Sequence, residues 1–210
     1  MHTQYELPLF PLNLTLLPGG VIALKIFEVR YLDLMKRCLK EDLPFGVVAL
    51  TGGLDINQPG NREAQFHSHG TLAKIIEFEA IQPALYFIRC VGTQRFKLDN
   101  PELRAMGLWY ATIQEVEPDP LQTIPAELQR VANQLQHQIK IAEKNGIRPD
   151  QLPFAEPYFL NDCGWVANRW CDLLNLSSHE KNVLMMQDNP RLRLDLIAEI
   201  LVEFGIISDT

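Results

Sequence analysis

Apolar and polar positions alternate with a period of two over most of the first 116 residues, and with a period of three to four after that. The stretch from Leu7 to Leu50 carries both patterns. Leu7–Leu12 is an apolar run bearing Pro8 and Pro11. Neither proline can donate to a sheet ladder, so the run predicts an edge strand or one with irregular pairing. Pro18-Gly19-Gly20 reads as a turn in which Gly takes the positive φ of a type II second position. Val21–Phe27 alternates, with Ile22, Leu24 and Ile26 on one face and Lys25 on the other. From Glu28 the period becomes helical. Leu32, Met35 and Leu39 make a stripe widened by Tyr31, Leu34 and Cys38, until Pro44 ends it and Phe45–Leu50 returns to a strand.

Residues 51–70 are rich in Gly, Asn, Gln and Pro and read as one long loop, of the kind that is usually functional or mobile. Thr71–Ala80 reads as a strand with Ile76 and Phe78 inward and Glu77 and Glu79 outward. Gln82-Pro83-Ala84 turns into Leu85–Cys90, Gly92 predicts a bulge or bend before Arg95–Leu98, and Leu108–Val116 is the last strand. Six or seven short strands around one early helix predict a small coiled, barrel-like sheet. Glu117-Pro118-Asp119-Pro120 is the expected boundary, giving a β domain over 1–118 and a helical domain over 119–210. In the second part Thr123 is the expected cap of a helix carrying Leu128, Val131, Leu135, Ile139 and Ala142, closed by Asn145-Gly146. A proline-rich connector (149–157) follows. Asp162 caps a helix with Val166, Trp170, Leu173 and Leu174, and Ser177 with Glu180 forms a capping box. After Asn189-Pro190 a last helix runs to Gly205. The predicted class is α+β: a β-barrel-like half with one early helix, followed by a four-helix half.

Composition narrows the partners. The chain has 210 residues, 19 Lys and Arg against 26 Asp and Glu, and a net charge of −7. Phosphate binding relies on Lys and Arg, so nucleic acid and anionic membranes are disfavoured as partners. No apolar run approaches the roughly 20 residues that span a bilayer, and no signal peptide is visible at the N-terminus. Cys38, Cys90, Cys163 and Cys171 lack paired spacing and read as reduced core thiols, which points to a cytoplasmic protein.

LPLFPL, the LLPGG turn, the IFEVRYLDLMKRCL helix and the FGVV strand resemble the N-terminal substrate-recognition domain of the Lon protease family. They resemble still more the free-standing bacterial proteins made of that domain alone. HGTLAKI (69–75), VGTQRFKL (91–98), WYATIQEVE (109–117) and LMMQDNPRLRLDLIAEIL (184–201) continue the match. The resemblance implies a PUA-like pseudo-barrel for the first half and recognition of polypeptide substrates, with no cofactor.

The residues themselves offer no catalytic constellation. There is no Walker spacing of Gly-Lys-Ser/Thr and no G-x-G-x-x-G, and of the four serines (68, 177, 178, 208) none has a Ser-Lys setting. His67 and His69 point to one side of an extended segment and could reach one ion, yet no third ligand is near, so they read as solvated loop residues with no metal. Glu77 and Glu79 read as a solvated sheet face, and Trp165 and Trp170 as packing anchors. Arg30 and Arg95 fit a structural pairing with carboxylates better than ligand contact. Unexplained by core periodicity are the apolar residues of the loops: Leu54, Ile56 and Phe66 in the long loop, and Phe154, Tyr158 and Phe159 in the connector. They either tuck beneath their own loops or form a patch for a polypeptide partner. The leading expectation is a non-catalytic polypeptide-binding module. The alternatives are a PUA-like binder of small molecules or nucleic acid, a hydrolase with an unrecognised site, which a cleft holding His67, His69 and a carboxylate would favour, and a structural subunit docking on a partner protein.

Overall fold

A computed structural model describes residues 4–51 and 64–208. Its elements run β1 (Gln4–Leu12), β2 (Val21–Ile26), α1 (Val29–Glu41), β3 (Phe45–Leu50), β4 (Phe66–Gln82), β5 (Leu85–Leu103), β6 (Trp109–Glu115), α2 (Gln129–Lys144), α3 (Cys163–Leu173), α4 (Ser178–Met185) and α5 (Pro190–Glu203). The strands form one mixed sheet in the order β2-β5-β4-β3-β1-β6, and β6 pairs back onto β5. The far half of β5 thus closes a barrel with β4, β3, β1 and β6. The near half forms a three-stranded antiparallel arm with β4 and β2.

One face of the barrel strands carries Leu7, Leu9, Val48, Leu72, Phe96, Trp109, Ala111 and Ile113, which pack together as the interior. Glycines make room there for Phe96: a Cβ on Gly70 would lie 2.5 Å from the Phe96 ring and 2.6 Å from the Val47 carbonyl oxygen. The other face takes α1. Its Tyr31, Leu32, Leu34, Met35 and Cys38 pack on Phe10, Phe45, Val47 and Ala73 of the barrel and on Ile26, Tyr86, Ile88 and Cys90 of the arm. The four later helices enclose a separate core that also takes in Leu17 and Phe154.

The LLPGG turn joins the two halves. Gly19 has φ +77, and its N–H donates to the Gly92 carbonyl at 2.7 Å while Gly92 N–H donates to Gly20 at 2.8 Å. The Pro18 carbonyl accepts from the buried guanidinium of Arg169 at 2.8 Å. A side chain at Gly19 would strike that guanidinium, so glycine is required by conformation and by space alike.

Two expectations are corrected and a third is narrowed. β1 is not at an edge but takes the other expected form, an interior strand with irregular pairing, parallel to β3 and antiparallel to β6. It tolerates its prolines because the pairings are staggered: Pro8 lies where only β6 is paired and Pro11 where only β3 is. Each therefore has one flank on which a missing N–H breaks no ladder bond. β4 begins at Phe66, inside the stretch read as loop, and β4 and β5 are long, at 17 and 19 residues. Bulges let them bend without ending, one of them at the predicted Gly92 region, where the register shifts between Thr71 and Ala73. Thr123 does not cap α2: it is held in a bridge with Asp162, and α2 starts at Gln129 after a 3-10 turn, Ala126–Leu128, that Pro125 precedes. The caps at Asp162 and Ser177–Glu180 stand where expected, and Asn189, read only as part of the break before the last helix, caps it.

Candidate functional site

The arm leaves one sheet edge open. The β3 ladder on β4 ends at the pair Phe45–Ala73, while β4 continues to Gln82 paired only to β5. Among the described residues, Lys74–Gln82 therefore presents unpaired backbone on its outer side. Large apolar side chains stand along it: Ile76 is 44 % exposed, Phe78 43 % and Ile81 46 %. Alternation predicts Ile76 and Phe78 inward, and a bulge takes Ile76 out of that pattern. Ile75 pairs with Cys90 but Glu77 already pairs with Arg89, so Ile76 is an extra residue outside the alternation. Phe78 does lie on the inner face, opposite buried Ile88, but α1 does not reach far enough to cover it. It meets Tyr86 edge-on, with ring centroids 5.0 Å apart.

The end of α1 borders this edge. Asp42, in the left-handed conformation after the helix, bridges Lys74 at 3.0 Å. Leu39 and Leu43 on either side of that turn are exposed. The outer face of the edge is acidic: Glu77 is bridged by Arg89 at 2.5 Å, and Glu79 stands exposed beside it.

The residues predicted from loop hydrophobicity are scattered. Phe154 is fully buried, bridged to Gly20 and packed among Tyr158, Trp165 and the Arg169 guanidinium. Its ring is therefore unavailable to a partner. Tyr158 is half-buried in the same group, and Phe159 is 52 % exposed against Trp165. Phe66 opens β4 and packs edge-on against Trp109, 5.0 Å between centroids, at the opposite end of the strand from Phe78. Leu54 and Ile56 lie outside the described residues.

His67 and His69 belong to β4 rather than to a loop. His67 is buried with its ring 5.6 Å from that of His179 of α4 and its Nε2 without a partner, which corrects its reading as a solvated residue. The His69 carbonyl accepts from Asn182 at 3.1 Å. Burial, with His179 adding to it, holds the His67 pKa below the ordinary histidine value. Among the described residues no three His, Cys, Asp or Glu side chains gather as metal ligands. Ser177 is a helix cap, its Oγ accepting from Glu180 N–H. The four cysteines are buried and unpaired, and burial pushes Cys90 and Cys171 up to about 12.

Arg30 and Arg95 are structural. Arg30 bridges Glu28 at 2.5 Å and donates to Gly107. Arg95 on β5 bridges Asp119 at 2.8 Å and donates to the Met185 carbonyl, and Asp119 also bridges the fully buried Arg193 of α5 at 2.6 Å. The cations at the junction of barrel and helices are thus matched by carboxylates. A cleft of about 370 Å³ opens beside them, between Gly19, Arg95, Asp119 and Trp165. A larger groove of about 640 Å³ lies in the helical half, among Ile141, Ile147, Leu152 and Leu173. Among the described residues no helix is long and apolar enough to cross a membrane.

The family model of the ATP-dependent protease La (LON) substrate-binding domain matches residues 6–203. Among solved structures, a Lon N-terminal domain protein from Xanthomonas campestris is similar at 28% identity and a TM-score of 0.73, over 93% of this chain and 98% of that one. The N-terminal domain of the Mycobacterium avium complex Lon protease is similar in fold at 13% identity and a TM-score of 0.58, over 93% and 97%.

Proposed function

The chain belongs to the family of the ATP-dependent protease La (LON) substrate-binding domain, and from that premise we propose that it binds unfolded or extended polypeptides along the open edge of β4. The observation that carries the reading is the coincidence, on one strand, of unpaired backbone from Lys74 to Gln82 and exposed Ile76, Phe78 and Ile81. An unfolded chain offers free backbone donors and acceptors together with apolar side chains, and a folded one hides both. Strand addition uses the first for affinity and the second for selection. The pairing of Arg95 and Arg193 with carboxylates supports this reading over a phosphate-binding one, which needs cations free to meet phosphate.

The test is a titration of a reduced, carboxymethylated protein, which cannot fold, followed by fluorescence anisotropy. Saturable binding on the order of tens of micromolar is expected, in the range of modest interfaces. Phe78→Ser removes apolar area that a bound chain covers and weakens binding roughly fivefold. Leu173→Ser, in the helical groove, leaves it unchanged. No saturable binding, or loss with Leu173→Ser but not with Phe78→Ser, overturns the assignment to this edge.

A further inference from the structure

We infer that the β4 edge selects extended segments in which apolar and basic residues alternate. This rests on the polypeptide-binding reading above and names the substrate class. In an antiparallel or parallel pair, directly opposed residues share a face of the sheet. The register across the arm sorts the edge residues by face. Phe78 and Ala80 lie opposite Ile88 and Tyr86, on the face that α1 packs against, whereas Glu77 and Glu79 lie opposite Arg89 and Phe87, on the outer face. A strand added to this edge places every second side chain against Phe78 and Ala80 and the intervening ones against Glu77 and Glu79. Apolar residues fit the first set. Cationic ones are favoured opposite the second.

Charge decides between occupants. Glu77 is bridged by Arg89, but Glu79 is left facing the open side, and the chain as a whole carries a net charge of −7. A second copy of this chain pairing edge to edge about Glu79 would oppose Glu79 to Glu79, and like charges directly opposite are destabilising. A segment with Lys or Arg at alternate positions meets complementary charge instead. The neighbouring Lys74 is occupied by Asp42, so the cation on this edge is already matched.

The experiment compares three fluorescein-labelled octapeptides by anisotropy at low and moderate salt: alternating Val-Lys, alternating Val-Glu, and a block peptide of four Val followed by four Lys. Alternating Val-Lys is expected to bind about fivefold tighter than alternating Val-Glu, the scale of one cross-strand charge pair at Glu79 turned from favourable to repulsive. The preference shrinks with salt. Glu79→Lys, an exposed change that leaves the fold intact, is expected to reverse it. N-methylation at alternate peptide bonds of the Val-Lys peptide abolishes binding if backbone pairing holds it. Equal binding of the Val-Lys and Val-Glu peptides overturns the charge selection while leaving polypeptide binding standing. Equal binding of the block peptide overturns the strand register. If no peptide binds while the carboxymethylated protein does, the edge is not the site. Sedimentation showing a dimer that Phe78→Lys dissociates assigns the edge to a second copy and overturns the inference.

Discussion

Removing the Asp119 carboxylate tests how the helical half is tied to the barrel. Asp119 lies in the connecting segment and takes Arg95 from β5 on Oδ1 and Arg193 from α5 on both oxygens, at 2.8 Å, 2.6 Å and 3.2 Å. Both guanidiniums are buried, Arg193 fully and Arg95 to 4 % exposure. Burial lowers the Arg95 pKa, and the Asp119 charge is the main influence opposing that. Taking away one partner of a buried pair leaves charge in a poorly solvated site, a loss of about 3–5 kcal/mol. The remaining acceptors soften it. Arg95 keeps the Met185 carbonyl and an exposed Asp188, and Arg193 keeps Asn168 and the carbonyls of Leu184 and Gln187. Asp119→Asn, which preserves shape and one acceptor, therefore belongs near 3 kcal/mol, and Asp119→Ala nearer the upper end.

For a chain of this size each kcal/mol moves Tm by about 2–4 °C, so Asp119→Asn lowers it by about 6–12 °C. Urea unfolding followed by tryptophan fluorescence gives the free energy directly. It also reports on the expected boundary at 118 and 119, because Trp109 sits in the barrel and Trp165 and Trp170 in the helical core. If that boundary separates two cooperative units, loss of the shared carboxylate splits one transition into two, seen as a lower apparent m-value. A cost under about 1 kcal/mol with m unchanged would refute the claim that this buried triad couples the halves.

Two further changes probe the packing. Gly70→Ala drives a methyl group against the Phe96 ring and the Val47 carbonyl, costing about 1–3 kcal/mol by overpacking, and Phe96→Leu recovers only part because the carbonyl contact stays; chemical denaturation of single and double variants checks this. Folding keeps the His67 pKa below its unfolded value of about 6.5, so the unfolded chain binds more protons as pH falls past that value and stability drops. His67→Phe is expected to flatten the fall in urea midpoint between about pH 7 and pH 5, leaving the smaller slope that His69, also held low by burial, supplies. An unaltered slope refutes the assignment.

Much of the helical half was legible because α3, α4 and α5 announce their starts through local chemistry. Asp162, Ser177 with Glu180, and Asn189 cap through bonds within three residues, and such bonds depend on nothing distant. The position of β1 was not legible. Pro8 and Pro11 mark strand flanks that lack a partner, but which neighbour flanks which segment is decided by β3 and β6, far along the chain. The open edge was hidden for the same kind of reason. The spacing of Ile76, Glu77, Phe78 and Glu79 reads as an ordinary half-buried strand, and only the extra residue at Ile76 and the reach of α1 leave it uncovered. Phe154 illustrates the converse. An aromatic in a proline-rich connector looks free for a partner, yet the backbone bridge to Gly20 carries it into the helical core.

An open strand edge bearing apolar residues is a hazard, since any similar edge can pair with it, and natural sheets blunt such edges with charges and bulges. β4 has both devices, in Glu77, Glu79 and the bulge at Ile76, yet keeps Phe78 and Ile81 exposed. Acidic residues guard against a like-charged edge, including that of another copy of this chain, and place no barrier before a basic one. The bulge breaks regular pairing near Ile76 but leaves Glu77–Ala80 in register with β5. The same features that keep the edge from pairing with itself therefore leave one class of strand able to add to it, and for this reason solubility and recognition need not compete on β4.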